Sequence, residues 1–309
     1  MTERTDLEHC IERWNTKWQG GYTNTREDWD ERAGDWDGKL RADGVRARQG
    51  EERVAAVAQY LRGRGLLGPD CDVADLGCGP GRFVAEFART ARSALGIDLS
   101  ERMVDFGRRY AQEAGRTNVE FVACDFQTAD VAALGWEGRF DLVFASITPA
   151  IAGMTALENM MKMSRAFCCN ICFVHQRNDL DDRILRECFG RGPRREFASH
   201  SHWFHELFNL LWWLGYHPET SYHRQPRELL LPAGPELAVE RARVLLPPEE
   251  RTPENTARIH RFLRENARAD GSVIETSDCW YGWTLWDVRL RTERPAPGRL
   301  PWENIKRKK

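Results

Sequence analysis

The sequence predicts an α/β fold in which a parallel sheet is covered by helices on both faces. Two observations carry this reading. Between residues 72 and 174, short apolar runs of strand length alternate with stretches of helical periodicity. The first run ends in a glycine-rich turn, Gly77-Cys78-Gly79-Pro80-Gly81, that leads directly into a helical pattern. A chain of 309 residues with 41% hydrophobic content is long enough for one large core, or for one domain with a sizeable insertion.

Taken in order, residues 6–65 read as helical. The clearest piece is Glu51 to Leu61, where Val54, Val57, Ala58 and Leu61 recur at helical spacing before Gly63, Gly65 and Gly68-Pro69 break the pattern. Strands are expected at Asp72–Leu76, Ser93–Ile97, Val119–Ala123, Phe140–Ala145 and Phe167–Val174. Helices are expected to begin near Gly81, Ser100, Thr128 and Met154. Ser100, ahead of Met103 and Val104, is an N-cap before an apolar face. Right-handed crossovers put the carboxyl ends of the strands on one edge, where ligands bind in such sheets.

The pattern changes after Asp179. Residues 200–216 are rich in aromatics (Trp203, Phe204, Phe208, Trp212, Trp213 and Tyr216). Two helices are expected at 235–246 and 254–267, divided by Pro247-Pro248. Cys279 to Leu290 reads as a last strand, followed by a Pro-rich, basic surface tail. The organisation expected is a helical lead-in or lid at 1–67, an α/β core at 68–228, a helical insertion at 229–278 able to cap a pocket, and the last strand and tail at 279–309.

Charged residues make up 30% of the chain and nearly cancel, at a formal −2. That balance provides no broad field for nucleic acid or an anionic membrane. The Arg-rich stretches Arg41 to Arg53 and Arg183 to Arg195 contain acids as well and read as solvated helix faces. No apolar run reaches the ~20 residues of a membrane span, and the charged start has no apolar signal core. The expectation is a cytoplasmic protein with neither a nucleic-acid nor a membrane partner and no stated oligomeric state. Nine cysteines, several in strand-like segments, suit reduced thiols better than a disulfide framework.

The glycine turn is the main candidate for chemistry. Glycines tolerate positive φ and let backbone N–H groups come close to a ligand, and the helix that follows presents unpaired N–H groups. A dinucleotide loop would read G-x-G-x-x-G, with its third glycine at position 82. Position 82 is Arg82, and the pattern is G-x-G-x-G. With Asp75 just before it, this segment resembles motif I of the class I S-adenosylmethionine-dependent methyltransferases. Gly96-Ile97-Asp98-Leu99-Ser100 ends the second strand on a carboxylate, as expected for an acid that accepts hydrogen bonds from ribose hydroxyls. Cys124-Asp125-Phe126 after the third strand and Phe140-Asp141-Leu142-Val143-Phe144-Ala145 as the fourth also resemble the family, which the chain follows from about residue 70 to 150.

The resemblance implies a Rossmann-like, seven-stranded methyltransferase sheet and S-adenosyl-L-methionine as cofactor. It also implies a cofactor site of Asp75, Gly77, Cys78, Gly79, Gly81, Asp98, Leu99, Met103, Asp125, Phe126, Ala145 and Ser146. The lead-in Trp29-Asp30-Glu31-Arg32-Ala33-Gly34-Asp35-Trp36 resembles the aromatic and acidic segment that closes over the cofactor in many small-molecule members, which adds Arg32 and Trp36 to the site.

For the acceptor, Ser146-Ile147-Thr148-Pro149 departs from the Asn/Asp-Pro-Pro-aromatic signature of members that methylate amide or adenine nitrogens. The aromatic segments at 203–216 and 280–286 point instead to an apolar, enclosed pocket. The expected reaction is methyl transfer to an oxygen, nitrogen or sulfur of a small molecule that is partly apolar or aromatic. Protonated acceptors need a base, and the candidates are His175 and His205, with His202 also near. His200, His202 and His205 are spaced closely enough to raise a metal site, but lack a clear carboxylate or thiolate partner, so no metal is assigned. Cys168, Cys169 and Cys172 lie on one strand, where neighbours face opposite ways, and read as buried small hydrophobes. A non-catalytic cofactor-binding scaffold and a nicotinamide-dependent oxidoreductase are the alternatives, the latter disfavoured by Arg82.

Overall fold

The computed structural model describes residues 6–16, 25–41, 45–193 and 196–293, with side chains other than those at 16, 35–49 and 196–202. Seven strands are present: β1 (Asp72–Leu76), β2 (Ser93–Asp98), β3 (Val119–Ala123), β4 (Phe140–Ser146), β5 (Ser164–Asn178), β6 (Glu219–Pro232) and β7 (Ser272–Asp287). They form one sheet in the order β3-β2-β1-β4-β5-β7-β6. The pairings β1–β2, β2–β3, β1–β4 and β4–β5 are all parallel. The described helices are α1 (Asp6–Thr16), α2 (Arg26–Arg41), α3 (Val45–Gly63), α4 (Arg82–Phe87), α5 (Glu101–Glu113), α6 (Gly153–Met163), α7 (Asp179–Phe189), α8 (Glu196–Trp213), α9 (Pro235–Leu245) and α10 (Pro253–Glu265). This is the Rossmann-like architecture expected, with a helical lead-in and helices α9 and α10 ahead of the last strand. None of the described helices is long and apolar enough to cross a membrane.

The chain divides into two compact units. The first comprises residues 1–171, 205–221 and 283–309; the second comprises 172–204 and 222–282. In the first, Leu142, Val143, Phe144 and Ala145 of β4 are all fully buried, so both faces of the sheet are covered there. Phe83 and Phe87 of α4 pack on Phe144 with ring centroids 4.8 and 5.1 Å away. Phe121 of β3 is held by three glycines. A Cβ on Gly81, Gly96 or Gly107 would come within 2.5–2.8 Å of its ring, so α4, β2 and α5 can close around it only without those side chains. In the second unit, α7, α9 and α10 share a core of Leu180, Ile184, Leu237, Ile259, Phe262 and Val273.

Strand ends in the first unit are level. Asp75 pairs with Gly96, Leu76 with both Ile97 and Ala145, and Asp98 with Ala123. Chain order runs outward from β1 through β2 to β3, and then returns to the other side of β1 as β4. That reversal opens the crevice in which open α/β sheets bind ligands.

Three expectations need correction. No helix begins near Thr128. Asp125 accepts hydrogen bonds from the Gln127 N–H and the Thr128 hydroxyl, and Asp130 accepts from the N–H groups of Ala132 and Ala133. These capped turns do not extend into a helix, because Gly135 and Gly138 take left-handed backbone at φ 68° and 60°. The last strand begins at Ser272 rather than near Cys279, and β5 runs from Ser164 to Asn178, beyond both ends of the apolar run that announced it.

Candidate functional site

The site is built where β1, β2 and β4 end, entirely from the first unit. After Leu76 the chain turns through Gly77, Gly79 and Gly81, each in the left-handed region at φ 63°, 51° and 75°. Two of these positions have different physical reasons. A Cβ at Gly77 would collide with the side chain of Thr148, from the loop after β4. At Gly79 a Cβ would meet no protein atom within 4 Å, so the missing side chain leaves open space beside the backbone. The turn is closed by Cys78 N–H donating to Ile97 O (3.0 Å) and Gly81 N–H donating to Cys78 O (3.1 Å).

Asp98 ties this turn to α5. One carboxylate oxygen accepts the Gly79 N–H at 2.8 Å and the other accepts the Ser100 N–H at 2.9 Å. Burial raises its pKa above the usual carboxylate range, and those N–H bonds offset the effect only in part. Asp75 lies beneath the turn at 3% exposure, and its Oδ2 has no hydrogen-bond partner. Burial first, and the neighbouring Asp98 charge second, raise its carboxyl well above the usual range. A buried carboxyl with an orphaned oxygen, next to the half-buried carboxyl of Asp98, forms a site short of positive charge.

The lead-in reaches this place. Ser100 caps α5, its hydroxyl accepting the Met103 N–H at 3.1 Å, and donates in turn to Asp30 of α2. Arg102 donates to the Asp30 carbonyl at 2.8 Å, and Arg26 pairs with Glu101 at 2.7 Å. Asp30 also raises the Asp98 pKa, which places its charge close by. Arg32 on the same helix has its guanidinium 5.1 Å from the Trp29 ring centroid. The side chain of Trp36 lies outside the described residues. Asp30, read only as part of an aromatic and acidic stretch, turns out to be the residue that docks α2; a single acid on a helix gives no signal for this.

On the β4 side, Ala145 is fully buried, and the buried Ser146 hydroxyl has no hydrogen-bond partner. Ile147 holds φ 52°, an outlier for a β-branched residue. It is fixed there by its N–H to Ile171 O (2.8 Å) and by the following Thr148, whose hydroxyl accepts the Ala150 N–H at 3.1 Å. Gln127 donates to Pro149 O at 3.1 Å, linking the loop after β3 to the loop after β4.

The other expected residues divide. Met103 and Phe126 are buried, Leu99 is half-buried, and Asp125 is exposed with each oxygen already accepting one local hydrogen bond. The Cys78 thiol points into an apolar cluster with Val84, Val104 and Phe121, where burial raises its pKa far above normal. With its N–H bonded to Ile97, it shapes the turn from inside. His205 is exposed in the first unit, and His175 is exposed in the second, where its charge bears on Asp278. The side chains of His200 and His202 lie outside the described residues. Burial pushes the thiols of Cys169 and Cys172 up to about 12, and that of Cys168 higher still.

The sheet order and the glycine turn together give the Rossmann-like methyltransferase fold. Residues 73–167 match a family model described as a methyltransferase domain. Among curated relatives, the 23S rRNA (uracil(1939)-C(5))-methyltransferase RlmD of Alcanivorax borkumensis is 33% identical over 109 residues, covering 35% of this chain and 23% of the relative. The 2-heptyl-1-hydroxyquinolin-4(1H)-one methyltransferase of Mycobacteroides abscessus is 32% identical over 75 residues, covering 24% of this chain and 31% of the relative. The chain therefore spans less than a third of the length of either. Among solved structures, the magnesium protoporphyrin IX methyltransferase of Synechocystis with bound SAH aligns at a TM-score of 0.46 and 19% identity, over 64% of this chain and 90% of that one.

Proposed function

We propose that this chain binds S-adenosylmethionine at the glycine turn and transfers its methyl group to an oxygen, nitrogen or sulfur atom of a small, partly apolar or aromatic molecule. The observation that carries this reading is the pair of neighbouring carboxyls, buried Asp75 and half-buried Asp98, with the Asp75 Oδ2 unsatisfied. A ligand with an ammonium and a sulfonium supplies the missing positive charge, and the open space at Gly79 admits it against the backbone.

When bound, the cofactor supplies a methyl group already activated on sulfur. The work left to the chain is binding and alignment. Asp98 keeps a lone pair on each oxygen for the ribose hydroxyls while holding the turn and α5 in place. Asp75 takes the amino group of the methionine part. Leu99, Met103, Asp125 and Phe126 form the adenine side, and α2, docked through Asp30, covers it with Arg32. Ser146 and the strained Ile147 stand on the acceptor side. Where the acceptor is protonated, the base falls to His175 or His205. Replacing the true base by Gln lowers kcat by about 100-fold and removes the acidic limb of the pH profile, whereas a structural histidine leaves the shape of that profile unchanged.

A second reading follows from the rRNA methyltransferase relatives: an RNA acceptor. Labelled methyl transfer into a fractionated cell extract separates the two. Label in the low-molecular-weight fraction supports the first reading; label in RNA alone refutes it.

A further inference from the structure

Ser100 joins three parts of the first unit and is fully buried there. Its N–H donates to Asp98 Oδ1 at 2.9 Å, and its hydroxyl accepts the Met103 N–H at the start of α5. The same hydroxyl donates to Asp30 Oδ1 on α2. One buried residue therefore links the carboxylate assigned to the ribose with the carboxylate that docks α2.

α2 has little apolar surface to hold it. Its sequence is mostly charged, and among its described side chains Ala33 alone is buried. Polar contacts to the first turn of α5 do the docking, at a helix end that favours an anion. Asp30 Oδ1 accepts the Arg102 N–H at 3.3 Å as well as the Ser100 hydroxyl. The cations nearby are engaged elsewhere. Arg26 pairs with Glu101, and the Arg102 guanidinium bonds to the Asp30 carbonyl, so neutral donors hold the Asp30 carboxylate. Its negative charge reaches Asp98, whose pKa it helps to raise, and the Asp98 charge in turn bears on buried Asp75. Docked α2 thus brings a third carboxylate to two that already crowd each other, and the Asp75 Oδ2 among them has no partner.

Resting on the cofactor reading above, we propose that Asp30 is a positioning residue through which the docking of α2 responds to the charge on the ligand's sulfur. A sulfonium offsets the crowding of the three carboxylates, so α2 docks firmly over the methyl donor. In the transfer, the acceptor's lone pair forms the new bond to the methyl carbon and the S–C bonding pair stays on sulfur, which becomes a neutral thioether. The repulsion then returns, α2 loosens, and the product is released. Linkage makes the effect reciprocal: docked α2 favours donor over product. A unit charge acting over about 10 Å in a partly buried site changes affinity by about tenfold.

The test is calorimetric titration of the full chain and of Asp30→Asn with S-adenosylmethionine and S-adenosylhomocysteine, together with hydrogen exchange of α2 in each complex. Asn keeps an oxygen to accept from Ser100 and Arg102 and removes the charge. The variant should bind S-adenosylmethionine about tenfold more weakly and hold S-adenosylhomocysteine within about threefold of wild type. In wild type, S-adenosylmethionine should protect the α2 amides more than S-adenosylhomocysteine does, and in Asp30→Asn the two should protect them alike. Equal weakening of both ligands, unchanged affinity for both, or equal protection of α2 by both in wild type overturns the proposal. Failure of folded wild type to bind either ligand overturns the cofactor reading with it.

Discussion

Replacing Asp98 by Asn tests the centre of the site, because the change keeps the shape and removes the charge. In the structure both carboxylate oxygens are in use, one on the Gly79 N–H and one on the Ser100 N–H. Asn provides one acceptor; its NH2 group would face a backbone donor. Hydrogen bonds to a charged group contribute about 1.5–3 kcal/mol each. Losing the charge and one acceptor removes about 3 kcal/mol from cofactor binding, which is roughly a 100-fold rise in Kd. Equilibrium dialysis with labelled S-adenosylmethionine measures it, on protein whose circular dichroism and thermal unfolding establish that it is folded. Asp105→Asn, on the exposed side of α5 where Asp105 pairs with Arg108, is the control and should leave Kd unchanged. A shift of less than about threefold in folded Asp98→Asn protein would falsify the ribose-binding role.

Other consequences follow from the same geometry. Gly79→Ala should cost only about 1–2 kcal/mol of stability, the penalty of left-handed backbone, yet raise the cofactor Kd at least tenfold because the new Cβ occupies the open space; Gly77→Ala should instead lower stability by about 2–3 kcal/mol, through its collision with Thr148, so the ratio of the two effects in denaturation and binding assays separates a ligand-facing glycine from a packing one. Asp75 has a pKa raised by burial, so the native state keeps a proton that the unfolded state releases as pH climbs past the ordinary carboxyl value, and stability falls with rising pH. Asp75→Asn should remove that slope: urea midpoints of variant and wild type should diverge in favour of the variant as pH rises above the ordinary carboxyl value, while cofactor affinity drops. Parallel curves would show that Asp75 titrates normally.

The strands and turns that make the cofactor site were legible because they obey local rules. Apolar runs of five or six residues bounded by glycine or acid gave β1 to β4 to within a residue, and Ser100 was recognisable as a cap from its own side chain. Other elements depend on partners far away in sequence. β6 carries Tyr222, Arg224, Pro226 and Glu228 at exposed positions, so an edge strand reads as a polar loop. α7 did carry signals, Asn178 as its N-cap, acids in its first turn and Gly190 in the left-handed region at its end, but its short apolar face is broken up by charged residues. At the site, Asp75 and Asp98 were evident from position in the strand, whereas the docking of Asp30, the left-handed Ile147 and the inward turn of Cys78 are set by tertiary packing.

The most direct measurement is a calorimetric titration of the purified chain with S-adenosylmethionine at neutral pH. The expected result is saturable binding at one site per chain, with proton release visible as a dependence of the enthalpy on buffer, because a cationic ligand lowers the raised pKa of Asp75. Absence of heat and of saturation at about 1 mM cofactor, in protein shown to be folded, would contradict the assignment of the glycine turn to this methyl donor.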